Sequence, residues 1–154
     1  MDIRRAEDTD LVALMELFQV SIETQAPAHY SDAQVRAWAD SATEASFERL
    51  ILGPTTFVAV DESGPLGFCG YGKEGYIASI YIRADCAGQG IGRALLQHVL
   101  DDARAHGINA FHAEVSAMAI PLFEKFGFEK AGFDEVIRDD VKFKRQLMAL
   151  KHHS

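Results

Sequence analysis

The sequence predicts an α/β fold of the α+β kind, with a mixed, mainly antiparallel sheet flanked by helices. Three observations predict it. Leu11, Leu14, Met15, Phe18 and Ile22 recur at helical spacing near the N-terminus. Between Thr55 and Ile82 the chain changes to short β-branched and aromatic runs separated by turn residues. The glycine-rich segment Ala87 to Gly92 then opens a long amphipathic helix that leads to another strand.

Taken in order, Asp2 to Arg5 is a short strand, and Asp8 or Thr9 is placed to accept from the free N–H groups of the first helix. Pro27 ends that helix region, and Ser31 caps a second helix carrying Val35 and Trp38. Phe47, Leu50 and Ile51 mark a third helical piece, closed by Gly53-Pro54. Thr55 to Val60 and Leu66 to Tyr71 form a hairpin around Asp61 to Gly64, and Tyr76 to Ile82 adds a third strand. Ile91, Leu95, Val99 and Ala103, widened by Leu96 and Leu100, form one helix stripe that ends at His106 and Gly107. Asn109 to Val115 is a strand, and Leu122, Phe123 and Phe126 lie on a short helix. Phe133 to Arg138 and Val141 to Met148 pair around Asp139-Asp140. The unit from Tyr76 to Val115 is expected to supply the sheet's parallel segment.

The chain of 154 residues, 48% hydrophobic and 25% charged, is the size and composition of one globular domain. That domain is expected over residues 1–150, with 151–154 as a disordered tail that includes His152 and His153. A net charge of -8 disfavours nucleic acid and anionic membranes as partners. It also leans toward a cationic small-molecule acceptor. No apolar run approaches a membrane span, and the N-terminus lacks a signal-peptide pattern, so a cytoplasmic location is expected. Cys69 and Cys86 read as free thiols, and no Cys and His group has metal-ligand spacing. Cys86 precedes a helix start, a position that can lower a thiol pKa, although it reads as a bystander.

Ala87-Gly88-Gln89-Gly90-Ile91-Gly92-Arg93 lies between a strand and a helix. Alternate glycines allow close backbone approach. N–H groups from Gly88 to Arg93 at the positive end of the helix dipole suit a phosphate or pyrophosphate, and Arg93 can add a charge. The glycines alone fit a tight, ligand-free turn equally well. Two other readings fail on context. No Lys followed by Ser or Thr stands where a Walker loop needs it. The upstream antiparallel meander does not suit a dinucleotide-binding fold.

This loop resembles the signature of the GNAT superfamily of N-acetyltransferases: Gln or Arg, two residues, Gly, one residue, then Gly or Ala. Gly90 and Gly92 match the small positions, while Ala87 stands where Gln or Arg is usual. A second signature appears in Leu122-Phe123-Glu124-Lys125-Phe126-Gly127-Phe128, with Phe123 in place of the usual Tyr. Tyr30, Gln34 and Trp38 match a Tyr-x-x-x-Gln-x-x-x-Trp pattern of one bacterial branch. The resemblance runs from Ile3 to Met148.

It implies splayed central strands, with acetyl-CoA as co-substrate held between Tyr76–Ile82 and Asn109–Val115. Ile80, Tyr81 and Ile82 would pair with the pantetheine arm. Ala87, Gly88, Gln89, Gly90, Ile91, Gly92 and Arg93 would hold the pyrophosphate. Ser116 falls where the family often has Asn, and Phe123 would pack beside the coenzyme. A backbone N–H on the Tyr76–Ile82 strand would polarise the thioester carbonyl. His29 and Tyr30 lie where the family forms its acceptor pocket.

The expected reaction is transfer of acetyl from acetyl-CoA to a primary amine by direct attack, the acceptor being a small molecule or a peptide. A catalytically silent acyl-CoA-binding module is the alternative, because Phe123 cannot donate a proton and Ala87 lacks a long polar side chain. Tyr76, at a position where some members carry a glutamate, is a candidate proton relay. It shares a face with Tyr81 only if the strand bulges between them. Glu114 and His112 share a face by period two and are candidate proton acceptors, with Ser116 placed to orient water or thiol. Trp38 reads as a core anchor more than a substrate stacker. The protein is expected to be a monomer or a homodimer without a metal.

Overall fold

The structure, a computed structural model, describes residues 1–151. Of the tail expected over 151–154, residues 152–154 lie outside the described residues. Strand β1 (Asp2–Arg5) precedes helices α1 (Leu11–Gln25), α2 (Asp32–Ala39) and α3 (Glu44–Leu52). Strands β2 (Thr55–Asp61), β3 (Gly64–Tyr71) and β4 (Ile77–Ile82) lead into α4 (Ile91–Ala105). Strand β5 (Phe111–Val115), helix α5 (Ile120–Lys125) and strands β6 (Glu129–Arg138) and β7 (Val141–Leu150) complete the chain. The element order is the one the sequence predicts.

Capping explains the helix starts. The Ser31 hydroxyl accepts from the Gln34 N–H at 3.1 Å, and the Gln34 side chain accepts from the Ser31 N–H at 2.9 Å. At α1 the expectation of Asp8 or Thr9 is corrected. A short turn over Asp8–Asp10 comes first, so the accepting carboxylate is that of Asp10. It takes the Glu7 N–H at 2.8 Å and two bonds from Arg4, each 2.8 Å.

The strands form two antiparallel sheets, β1-β2-β3-β4 and β5-β7-β6. Two apolar clusters cover the first sheet. On one side Leu95, Leu96, Val99 and Leu100 of α4 meet Phe57, Phe111 and Phe123. On the other, Leu14 and Phe18 of α1, Trp38 and Phe47 meet Val58 and Phe68. Phe57 and Val58 point to opposite clusters, as strand alternation requires.

Two irregularities set the site. The register steps from Gly70↔Ser79 to Tyr71↔Ile77, so Ala78 is an extra residue and β4 bulges there. Ile77, Ile80 and Ile82 all face the α4 side, whereas Tyr81 faces the α1 side. The bulge therefore meets the condition for Tyr76 and Tyr81 to share a face.

The second irregularity reduces the predicted parallel segment to one bridge, Tyr76↔His112. Beyond it β5 pairs with β7, from Phe111↔Leu150 to Val115↔Gln146, while β4 stays with β3. The central strands thus splay. Gly75 makes the junction possible: its φ is +81°, and a Cβ there would lie 1.9 Å from the Ala110 carbonyl oxygen. The strands also shift from their expected limits. β4 and β5 start at Ile77 and Phe111, and the last pair runs from Glu129 to Leu150.

Candidate active site

The splay opens a cavity of about 350 Å³ between β4 and β5. Its strand walls are residues 76–81 and 113–116, and Phe18, Tyr30, Trp38 and Phe143 add an aromatic side. Phe123 closes another part of it. Arg138 and Arg145, from the β6–β7 pair, face it from across the gap.

The Tyr30, Gln34 and Trp38 pattern has a local physical explanation. Tyr30 and Trp38 pack edge to face with centroids 5.3 Å apart. The Tyr30 hydroxyl accepts the Ala117 N–H at 2.9 Å, tying the aromatic wall to the end of β5. Gln34, besides capping α2, donates to the Lys142 carbonyl at 3.1 Å and ties the helix to β7. Trp38 is both buried core and cavity wall.

At the other end of β4 the chain enters the glycine loop. Gly88 and Gly90 have φ of +79° and +83°, and a Cβ at either would meet open space. These glycines serve backbone shape and an open approach rather than packing. Gly90 caps α4 with no side-chain hydrogen bond, leaving the first turn's donors unserved by a cap. Gln89 N–H donates to Cys86 O at 3.4 Å and Ala94 N–H to Gly90 O at 3.0 Å, which brackets the donors available to a ligand. Gly92 differs: a Cβ there would lie 3.2 Å from Leu122, so its smallness also lets α4 approach α5. Arg93 is exposed and forms none of the ion pairs among the described residues. This open, positively polarised helix start fits a diphosphate.

The polar centre of the cavity is built around Glu114. Arg145 binds Asp134 through bonds of 2.9 and 2.6 Å and reaches Glu114 Oε1 at 3.7 Å. Glu114 Oε2 is buried in the cavity wall with no hydrogen-bond partner among the described residues. Ser79 Oγ, buried on the facing strand, has none either. Two orphaned buried oxygens on opposite walls of one cavity are costly unless something else satisfies them. Burial, and then the neighbouring Glu114, push the Tyr76 hydroxyl up to about 12, so it stays protonated at neutral pH. Arg145 holds Asp134 below the usual carboxylate range.

Tyr76, Ile80, Tyr81, Glu114, Ser116 and Phe123 come together around the cavity, with Tyr30 on its far wall. His29 is exposed and outside the lining, and so is His112, whose ring packs 5.4 Å from that of Tyr76. Phe123 is 2% exposed and packs edge to face on Phe128 at 4.9 Å. Cys86 does not acquire a lowered pKa. Burial and the adjacent Asp85 carboxylate push it up, outweighing the nearby Arg83. Sequence reasoning missed Ser79, Arg138, Arg145 and Asp134. Ser79 was readable only if the bulge had been placed, and the other three only from the β6–β7 register.

Among the described residues no group of His, Cys, Asp and Glu is arranged to hold a metal, and no helix is long and apolar enough to cross a membrane. Residues 26–150 match the family model described as an acetyltransferase (GNAT) domain. An L-methionine sulfoximine/L-methionine sulfone acetyltransferase of Pseudomonas aeruginosa is 30% identical over 148 residues, covering 84% of this chain and 81% of that one. A peptidyl-lysine N-acetyltransferase, YjaB, of Salmonella typhimurium is 26% identical over 141 residues, covering 92% and 90%. A crystal structure described as a GCN5-related N-acetyltransferase from Rhodopseudomonas palustris superposes with a TM-score of 0.91 at 26% identity, covering 96% and 93%.

Proposed function

The chain belongs to the GNAT acetyltransferase family, and from that premise we propose which of its residues carry out the transfer. It is an acetyl-CoA-dependent N-acetyltransferase, and the silent-module alternative is not favoured. Acetyl-CoA supplies an activated acetyl group: a C–N bond to the amine forms as the C–S bond breaks.

The N–H groups of Gly88 and residues 90–93 receive the pyrophosphate, helped by Arg93. The free edge of β4 at Ile80, Tyr81 and Ile82 guides the pantetheine arm toward the bulge. At the bulge Ala78 is the residue left out of the ladder with β3, and to its N–H we assign the polarisation of the thioester carbonyl. Ser79 Oγ supplies a further hydrogen bond to the bound reactants.

An amine of ordinary pKa near 10.4 costs about 4–5 kcal/mol to deprotonate at pH 7. Glu114 takes that proton on Oε2, the oxygen that Arg145 leaves free. Tyr76, held protonated beside it, passes a proton to the departing thiolate through water and is reprotonated by the second proton of the attacking nitrogen as the amide forms. Ser116 orients that water. Phe123 cannot take this part and serves as an apolar wall.

The acceptor enters from the aromatic side of the cavity, past Tyr30 and Trp38. Relatives act on a small amino-acid derivative in one case and on peptidyl lysine in another. The observation that supports this reading most is the pair of orphaned buried oxygens, Ser79 Oγ and Glu114 Oε2, on two residues that line one cavity. Thiol release from acetyl-CoA with a panel of amines tests it. Turnover that collapses in Glu114→Gln is expected, and full activity in that variant refutes the assignment of the base.

A further inference from the structure

We propose that the acceptor amine also carries a carboxylate, and that Arg138 receives it. The inference rests on the cavity being the acetyl-transfer site. Asp134, Val136 and Arg138 alternate onto one face of β6, opposite Arg145, Phe143 and Val141 of β7. Phe143, Arg138 and Arg145 of that face line the cavity.

The two arginines there are in different states. Arg145 is committed to Asp134 and Glu114. The Arg138 side chain forms no hydrogen bond or ion pair among the described residues, although it is only partly exposed. Its guanidinium lies over the Phe143 ring, 5.2 Å from the centroid. Asp139 and Asp140, next in the chain, sit in a left-handed turn with φ of +48° and +63° and do not pair with it. A guanidinium shelved on an aromatic ring with its fork unused suits a carboxylate in bidentate contact.

Charge and shape then define the acceptor. The amine end belongs at Glu114, the anionic end at Arg138, and the surfaces between are Tyr30, Trp38 and Phe143. Asp134, which fixes Arg145, and Arg138 are four residues apart on one strand, about 13 Å between Cα atoms, and the side chains shorten this. An amino acid whose apolar chain separates the amine from the carboxylate, such as an ω-amino acid, spans such a site. A lysine or N-terminus of a protein brings no carboxylate of its own. The global charge of -8, which leaned toward a cationic acceptor, does not describe this wall.

The test is thiol release by the full chain with matched pairs: 4-aminobutanoate against butylamine, 5-aminopentanoate against pentylamine, and 6-aminohexanoate against hexylamine. At least one amino carboxylate is expected to exceed its partner in kcat/KM by about tenfold or more, the worth of one charge-assisted contact. In Arg138→Gln that ratio collapses toward one through KM, and Arg138→Lys restores part of it. Ratios near one in the unaltered protein, a lysine peptide outperforming every amino acid, or a kcat loss equal for both members of a pair would overturn the proposal. Should no amine release thiol, the transfer reading fails, and calorimetry still decides on Arg138. Arg138-dependent binding of 3-phenylpropanoate over 3-phenylpropanol upholds the carboxylate site at Arg138 alone, and equal binding ends it.

Discussion

Tyr76 and His112 form the sole bridge between β4 and β5 among the described residues, and their rings pack 5.4 Å apart. The cavity exists because pairing stops there. Gly75, beside this bridge, combines a φ of +81° with a space already filled by the Ala110 carbonyl. Gly75→Ala is therefore expected to lower unfolding free energy by at least about 2 kcal/mol in urea titration. An unchanged midpoint would show that the junction tolerates a side chain.

Glu114→Gln keeps the shape of the side chain and removes its basicity. The expected fall in kcat is about 10²–10⁴-fold at pH 7. The deficit should shrink as pH rises toward the amine's own pKa near 10.4, because free amine then no longer depends on the carboxylate. Steady-state rates between pH 7 and pH 10 check this, and a deficit constant with pH would assign Glu114 another role.

Ser79→Ala separates stability from function. The hydroxyl is buried without a partner, so its removal from the free protein forfeits no hydrogen bond. Thermal stability should hold or rise slightly while KM for acetyl-CoA or amine increases. A fall in both would make Ser79 a structural residue.

Tyr76 is raised to about 12, and Tyr71 and Tyr81 are also raised, in each case first by burial. The unfolded chain loses these protons first, near pH 10. Stability from Tyr76 is thus fully present below about pH 10 and is lost as pH rises toward about 12. Phenolate absorbance should appear at higher pH in the folded protein than in urea, and Tyr76→Phe should reduce the alkaline loss of stability.

Much of the fold was legible because local chemistry decided it. Ser31 and Gln34 cap α2 as their spacing suggests, and the α4 stripe is the buried face of that helix. The glycine loop was legible for the same reason, since a φ above zero at Gly88 and Gly90 is a demand their sequence already answers. What stayed hidden depends on partners far along the chain. The Ala78 bulge is a property of β4 against β3, and it decides where Tyr81 points. Arg145 matters through Asp134 across the hairpin, and Arg138 through what it fails to pair with. His29, close in sequence to Tyr30, stays outside because the turn at Ala26–Ala28 leaves it exposed.

The most direct test of the diphosphate-holding helix start is a calorimetric comparison of coenzyme A with pantetheine, which lacks the diphosphate and the 3′-phosphoadenosine attached to it. With two charge-assisted contacts from the α4 start, coenzyme A should bind roughly a hundredfold more tightly. Gly90→Val, which fills the open approach and strains φ, should erase most of that difference. Equal affinities for the two ligands in the unaltered protein would contradict the account.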